Sequence, residues 1–224
     1  MTNRSAAVTQ AMRVLLTPER LSSYLAATGG DLDRALDLYE WNARLGAAVF
    51  EDLGYLEVVL RNACHAQLDW WNRRNRGADP WYLTAPLTPQ SQKDVADARR
   101  RATRGGRGEM PGRVVAELMF GFWRFLHARS YEATLWTPCV RHAYPHQRPN
   151  RRQDVYRRLD HLNTLRNRIA HHEPIHGARI ASTGQDVAGL HGELLEVLSW
   201  IDPTVARWVR ERSAVPALLG TRPA

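Results

Sequence analysis

From Asp33 to Arg73 no residue forces a helix to stop. Apolar side chains recur at spacings of three and four through Ala35, Leu38, Trp41, Leu45, Val49, Leu56, Val59, Leu60, Cys64 and Leu68, and no proline intervenes before Pro80. That pattern predicts either one long helix or two in line, bent at Gly54, with Asp31 or Asp33 as the cap. No stretch shows the strict period-two alternation of half-buried strands, and no fixed-period repeat is visible. The fold class expected is therefore all-α.

The rest of the chain fits that class. Residues 1–17 read as an N-terminal arm or short helix. Thr17-Pro18 starts a helix over Leu21 to Leu25, which Gly29-Gly30 ends. Ser91 to Arg104 is a polar helix, and 105–112 is a flexible loop that lacks the G-K-[ST] of a phosphate-binding loop. Arg113 to Arg129 has an apolar face broad enough to be central to the core. Asp186 to Trp200 and Pro203 to about Ser213 are further amphipathic helices, and 214–224 is a tail. Residues 18–213 are read as one helical domain.

With 44% hydrophobic and 24% charged residues, the chain has the composition of an ordinary globular protein. The formal net charge is +8, and of 31 basic residues only Lys93 is a lysine. Guanidinium donates in a bidentate fork that suits phosphate, although Arg-rich codon usage would leave the same excess. The positive sign favours a polyanion over a membrane or an acidic protein as partner. Cys64 and Cys139 make no disulfide scaffold and no C-x-x-C pair. No apolar run approaches the ~18 residues of a membrane helix, and the first residues lack a signal-peptide core. A cytoplasmic protein with no membrane contact is the expectation.

The chemistry concentrates between Asn150 and Pro174. Val155, Leu159, Leu162, Leu165 and Ile169 form one apolar stripe, with Asn150 placed to cap the helix and Pro174 to end it. Asn163, Asn167 and His171 are four apart and share a face. Arg166 flanks that face, and His171 falls where unpaired carbonyls favour imidazolium. A guanidinium, an amide and an imidazole are the groups needed to bind a phosphate and move its protons. Metal-free RNA cleavage asks for little more: a base for the 2′-hydroxyl, an acid for the leaving 5′ oxygen, and a cation for the developing charge. Arg166, Asn167 and His171 are the catalytic candidates, with Asn163 and His172 in support. Zinc is disfavoured, because His171, His172 and His176 have no matching ligands elsewhere. No cofactor is expected.

Glu57, Arg61 and His65 are also four apart, with Asn62 beside Arg61. They are either a surface Glu-Arg pair or a set that packs against the 150–172 helix and orients Arg166. Arg73, Arg74, Arg100, Arg101, Arg104 and Arg168 are candidates for contact with an RNA backbone. Trp70, Trp71, Trp81 and Tyr82 read as core anchors ahead of base-stacking platforms.

Arg166-Asn167-x-x-x-His171 matches the R-x4-6-H motif of HEPN-domain proteins. The longer string LRNRIAHHEPI resembles the C-terminal signature of Abi-like (abortive infection, AbiD/AbiF-type) proteins. Leu38-Tyr39-x-Trp41-Asn42, Leu56-Glu57-x-x-Leu60-Arg61-Asn62 and Val115-Ala116-Glu117-Leu118-x-Phe120-Gly121-Phe122-Trp123 are similar to that family too. Together these stretches cover roughly residues 30 to 180. The resemblance implies a HEPN-like helical bundle with additional helices at both termini, and a homodimer that brings two motifs face to face. It further implies a ribonuclease of antiviral (phage) defence or a toxin–antitoxin pair, with an antitoxin or a phage-derived trigger as possible partner. A non-catalytic HEPN-like module that binds RNA or protein is the other reading left open.

Overall fold

In a computed structural model, residues 4–177, 179–180 and 183–223 are described. Residues 1–3 of the expected arm and Ala224 of the expected tail lie outside them. The fold is all-α. Among the described residues the β content is a single antiparallel bridge between Ile180 and Gln185, and no helix is long and apolar enough to cross a membrane.

The helices are α1 (Ala6–Ala27), α2 (Leu32–Asn75), α3 (Trp81–Thr84), α4 (Pro89–Ala102), α5 (Pro111–Glu117), α6 (Phe120–Phe125), α7 (Arg152–Ala170), α8 (Val187–Ile201), α9 (Pro203–Arg212) and α10 (Val215–Leu219). The chain forms two compact units, and the 18–213 span expected as one domain contributes to both. The first unit takes Met1–Asp52, Thr164–Gly192 and Arg212–Ala224; the second takes Leu53–Asn163 and Glu193–Glu211.

In the first unit Ser5 caps α1, its hydroxyl accepting from the Val8 amide. Arg4 reaches Asp37 at 2.6 Å and Glu40 at 2.9 Å, so the chain is tied down from its first described residue. Thr17, at φ 62°, interrupts α1 just before Pro18. Asp31 rather than Asp33 caps α2, accepting from the Arg34 amide. Leu38, Trp41, Leu45, Val49, Leu165 and Leu190 are buried in this unit. Within the expected tail, α10 buries Val215, and the Trp41 indole donates to the Leu218 carbonyl at 2.8 Å. The buried His191–Asp52 pair, at 3.0 Å, shares the Ser213 hydroxyl.

The second unit is centred on buried aromatic residues, among them Trp81, Trp123, Phe120, Tyr131 and Tyr144, with Cys64 at 0% exposure. Two sequence-based expectations fail here. The apolar stretch 113–129 is not one helix. It breaks at Leu118-Met119, where ψ turns to 118° and 161°. Side chains take the carbonyls that a continuous helix would use: Trp123 Nε1 donates to Leu118 O, and Arg101 donates to Glu117 O. Asn150 is not the cap of α7 either. The Arg151 carbonyl accepts the first helical amides, while the Asn150 amide holds the Arg141 and Tyr144 carbonyls.

Candidate functional site

Leu165 faces the core of the first unit and Ile169 is half-buried, so the other faces of the last turns of α7 are left to polar groups. Asn167 and His171 are exposed, and the His171 amide donates to the Asn167 carbonyl at 2.9 Å. The helix then ends in a Schellman turn: Glu173 N–H bonds Arg168 O at 2.8 Å, and His172 N–H bonds Ile169 O at 3.0 Å. His172 occupies the left-handed position at φ 55°, where glycine is usual. The chain is thus already turned before Pro174.

Three side chains hold the exit in place. Arg20 donates to the His172 carbonyl at 2.6 Å. Arg168 donates to the Pro174 carbonyl at 2.9 Å and pairs with Glu173 at 3.3 Å. Asn42 accepts the Ile175 amide at 2.8 Å. His176, just beyond, lies 4.6 Å from the Tyr24 ring and touches the Ser23 hydroxyl. Its pKa is lowered by burial and then by the Arg222 charge, which favours neutral imidazole.

Arg166 differs from these engaged arginines. Among the described residues it makes no ion pair with a carboxylate, and its Nε, like that of Arg168, is buried without a hydrogen-bond partner. Its guanidinium lies 5.9 Å from the centroid of the Phe50 ring, at the outer edge of a cation–π contact. A guanidinium with no protein carboxylate is available to an anion.

Phe50 also lines a cavity of about 380 Å³. One wall is α2, where Ala43, Gly46 and Ala47 lie between Tyr39 and Phe50; the other comes from Ile169, His172 and Glu173. His172 therefore faces this cavity, while His171 lies on the open end of the helix and is absent from the lining. Tyr24 closes part of it, and burial pushes its phenol up to about 12, so it stays protonated.

Arg166, Asn167, His171 and His172 come together at the end of α7 in the first unit, and Arg168 beside them is taken up by Glu173 and Pro174. The other sequence candidates belong to the second unit. There Glu57 is half-buried and Asn62 exposed, and Arg61 makes long 3.5 Å contacts with Asn62 Oδ1 and the Ala116 carbonyl. Asn163 Oδ1 stands 3.8 Å from where a Cβ on Gly121 would be. Arg73 pairs with Asp69, Arg100 with Asp97 and Arg101 with Glu117, whereas Arg104 is exposed. Arg74 lies 4.3 Å over Trp70, which is exposed, while Trp81 and Tyr82 are buried. Among the described residues no three His, Cys, Asp or Glu side chains are grouped to hold a metal ion.

Sequence reasoning missed Asn42, Phe50 and Arg20 as parts of the site. The run Tyr39-Glu-Trp-Asn-Ala43-Arg-Leu-Gly46-Ala47-Ala-Val-Phe50 carries a signal for the cavity: small residues at helical spacing between two aromatic rings. Comparison with family models, with curated proteins and with solved structures finds no match to this chain.

Proposed function

We propose that the chain is a metal-independent endoribonuclease of the HEPN type, acting in the cytoplasm in abortive infection or a toxin–antitoxin pair. The observation that carries this reading is the terminal turn of α7. An arginine without a carboxylate partner precedes an exposed amide and an exposed imidazole, four residues apart, at the end of a helix. The resemblance of LRNRIAHHEPI to the Abi-like signature and the net charge of +8 support it.

In this mechanism one His171 imidazole takes the proton of a ribose 2′-hydroxyl. The O2′–P bond forms and the P–O5′ bond breaks, and the departing 5′ oxygen takes a proton from a second imidazole. Arg166 stabilises the charge that develops on the phosphoryl oxygens, and Asn167 orients the phosphate. The products are a 2′,3′-cyclic phosphate and a 5′-hydroxyl. One His171 per chain leaves the acid to a second copy, so the active form is a homodimer with two motifs facing each other. An antitoxin or a phage-derived trigger controls it.

The test is incubation of the purified protein with total RNA, followed by end-group analysis. Cyclic-phosphate ends that persist in EDTA and vanish in His171→Ala are the expected result. Undiminished cleavage by His171→Ala sinks the assignment. RNA retained in a salt-sensitive manner with no change in length identifies a binding module instead.

A further inference from the structure

We infer that the cavity between α2 and the end of α7 holds one unpaired nucleobase of the RNA strand, stacked against the aromatic side chains of α2. The identity of the strand rests on the ribonuclease reading; the recognition of a base rests on the cavity itself.

Its dimensions and lining fit a flat aromatic ring. Ala43, Gly46 and Ala47 lie on one face of α2 by their spacing of three and four, and they keep that wall shallow. A Cβ on Gly46 would already stand 3.7 Å from the Ile169 side chain. Tyr39 and Phe50 bound the wall at either end, and Phe50 is 45% exposed. A volume of about 380 Å³ lies within the range of small-ligand sites. Polar groups are few and of both kinds. Asn42 is 8% exposed and its Oδ1 is taken by the Ile175 amide, which leaves its NH₂ group to donate. The Glu173 carboxylate accepts, and the His172 imidazole can do either. A base edge carries both donors and acceptors, whereas an apolar side chain would leave the buried Asn42 NH₂ group without an acceptor.

Charge complementarity and continuity identify the occupant as part of a nucleic acid strand. The Phe50 ring that lines the cavity is the one under the Arg166 guanidinium, so a base on this wall has its phosphate beside an arginine with no carboxylate partner. Arg20 adds a second cation nearby, its guanidinium donating to the carbonyl of the lining residue His172 at 2.6 Å. Glu173, the acid among the lining residues, is paired with Arg168. The left-handed φ of 55° at His172 places a histidine in the wall at a position that favours glycine. The two adjacent histidines are thereby divided: His171 serves the phosphate and His172 the base.

The experiment uses the full-length His171→Ala protein, so that RNA is not cut, with a short labelled single-stranded RNA carrying 5-iodouridine. Ala47→Trp, at an exposed position, fills the slot, and His172→Gly removes the imidazole while relieving the backbone. Each should weaken RNA binding about tenfold, the scale of one lost base stack, without lowering the melting temperature. Photocrosslinks should fall on Tyr39 or Phe50. Unchanged affinity in both variants, or crosslinks confined to other segments, overturns the assignment. So does an Ala47→Trp protein whose oligomeric state changes while its RNA affinity does not, because the slot then holds a second copy. The two readings separate cleanly in proteins that keep His171. If wild type leaves RNA intact but Ala47→Trp loses binding, the slot stands and the nuclease falls. If wild type and Ala47→Trp cut RNA equally, the nuclease stands and the slot falls.

Discussion

The Glu173 amide reaches back to the Arg168 carbonyl at 2.8 Å, and His172 between them is held at φ 55°. An L side chain in that region costs about 1 kcal/mol because its Cβ crowds the following carbonyl. His172→Gly should therefore raise the unfolding free energy by about 1 kcal/mol in urea titration, while His172→Ala should not. A destabilised glycine variant would show that contacts of the imidazole outweigh the backbone cost.

The C-terminal turn makes a second prediction. Val215 is fully buried, and Trp41 Nε1 donates to Leu218 O. Val215→Ala should cost about 2 kcal/mol of stability through lost burial and the cavity left behind. Ending the chain at Arg212 should cost more, since it also leaves the Trp41 indole without its acceptor. A tail without such contacts could be removed with no change in the denaturation midpoint.

Trp41 shows where sequence reading reaches and where it stops. Its place on the buried stripe of α2 follows from spacing alone, as do those of Leu45 and Cys64 there and of Leu159 and Leu165 on α7, because helical periodicity is a local property. Its partner, Leu218, lies 177 positions away, and no local pattern announces that hydrogen bond. The break at Leu118-Met119 escapes for the same reason: Arg101 and Trp123 take backbone carbonyls in a stretch whose apolar spacing suits a helix. At the site, the polar terminal turn of α7 was legible as a departure from the apolar stripe. The cavity beside it was legible only in part: small residues at Ala43, Gly46 and Ala47 mark a shallow helix face, but no local pattern says that Ile169 and His172 supply the second wall.

Acid should weaken the second unit through His127. Its ring is fully buried. Nδ1 contacts the Trp123 carbonyl at 2.8 Å and so carries the hydrogen, and Nε2 accepts from the Tyr144 hydroxyl at 2.7 Å. Burial lowers its pKa from 6.5 to about 4, with the Arg152 charge a smaller contribution in the same direction. The unfolded chain then binds more protons than the folded one between those values. The contribution is intact above about pH 6.5 and is lost as the pH falls toward 4, by at most about 1.4 kcal/mol per unit. Urea titrations at falling pH should show that slope in the wild type and a shallower one in His127→Gln. Equal slopes would place the acid sensitivity elsewhere.

Arg166 and Arg168, two positions apart, should answer differently to the same truncation. Arg168 holds the Pro174 carbonyl and pairs with Glu173. The pair is half-exposed and screened, so Arg168→Ala should cost only about 1 kcal/mol of stability, most of it from the carbonyl bond. Arg166 gives up no ion pair, and its buried Nε lacks a partner already. Arg166→Ala should therefore leave stability within about 0.5 kcal/mol of wild type. On the ribonuclease reading it should nonetheless reduce RNA cleavage by about a hundredfold or more, the scale of losing one donor to transition-state charge. Arg166→Lys should not restore the rate, because an ammonium cannot make the planar two-point contact. The decisive comparison sets cleavage rate against the urea midpoint for both alanine variants. A large stability loss in Arg166→Ala with a proportionate loss of activity would make the residue a structural one and remove it from the proposed chemistry.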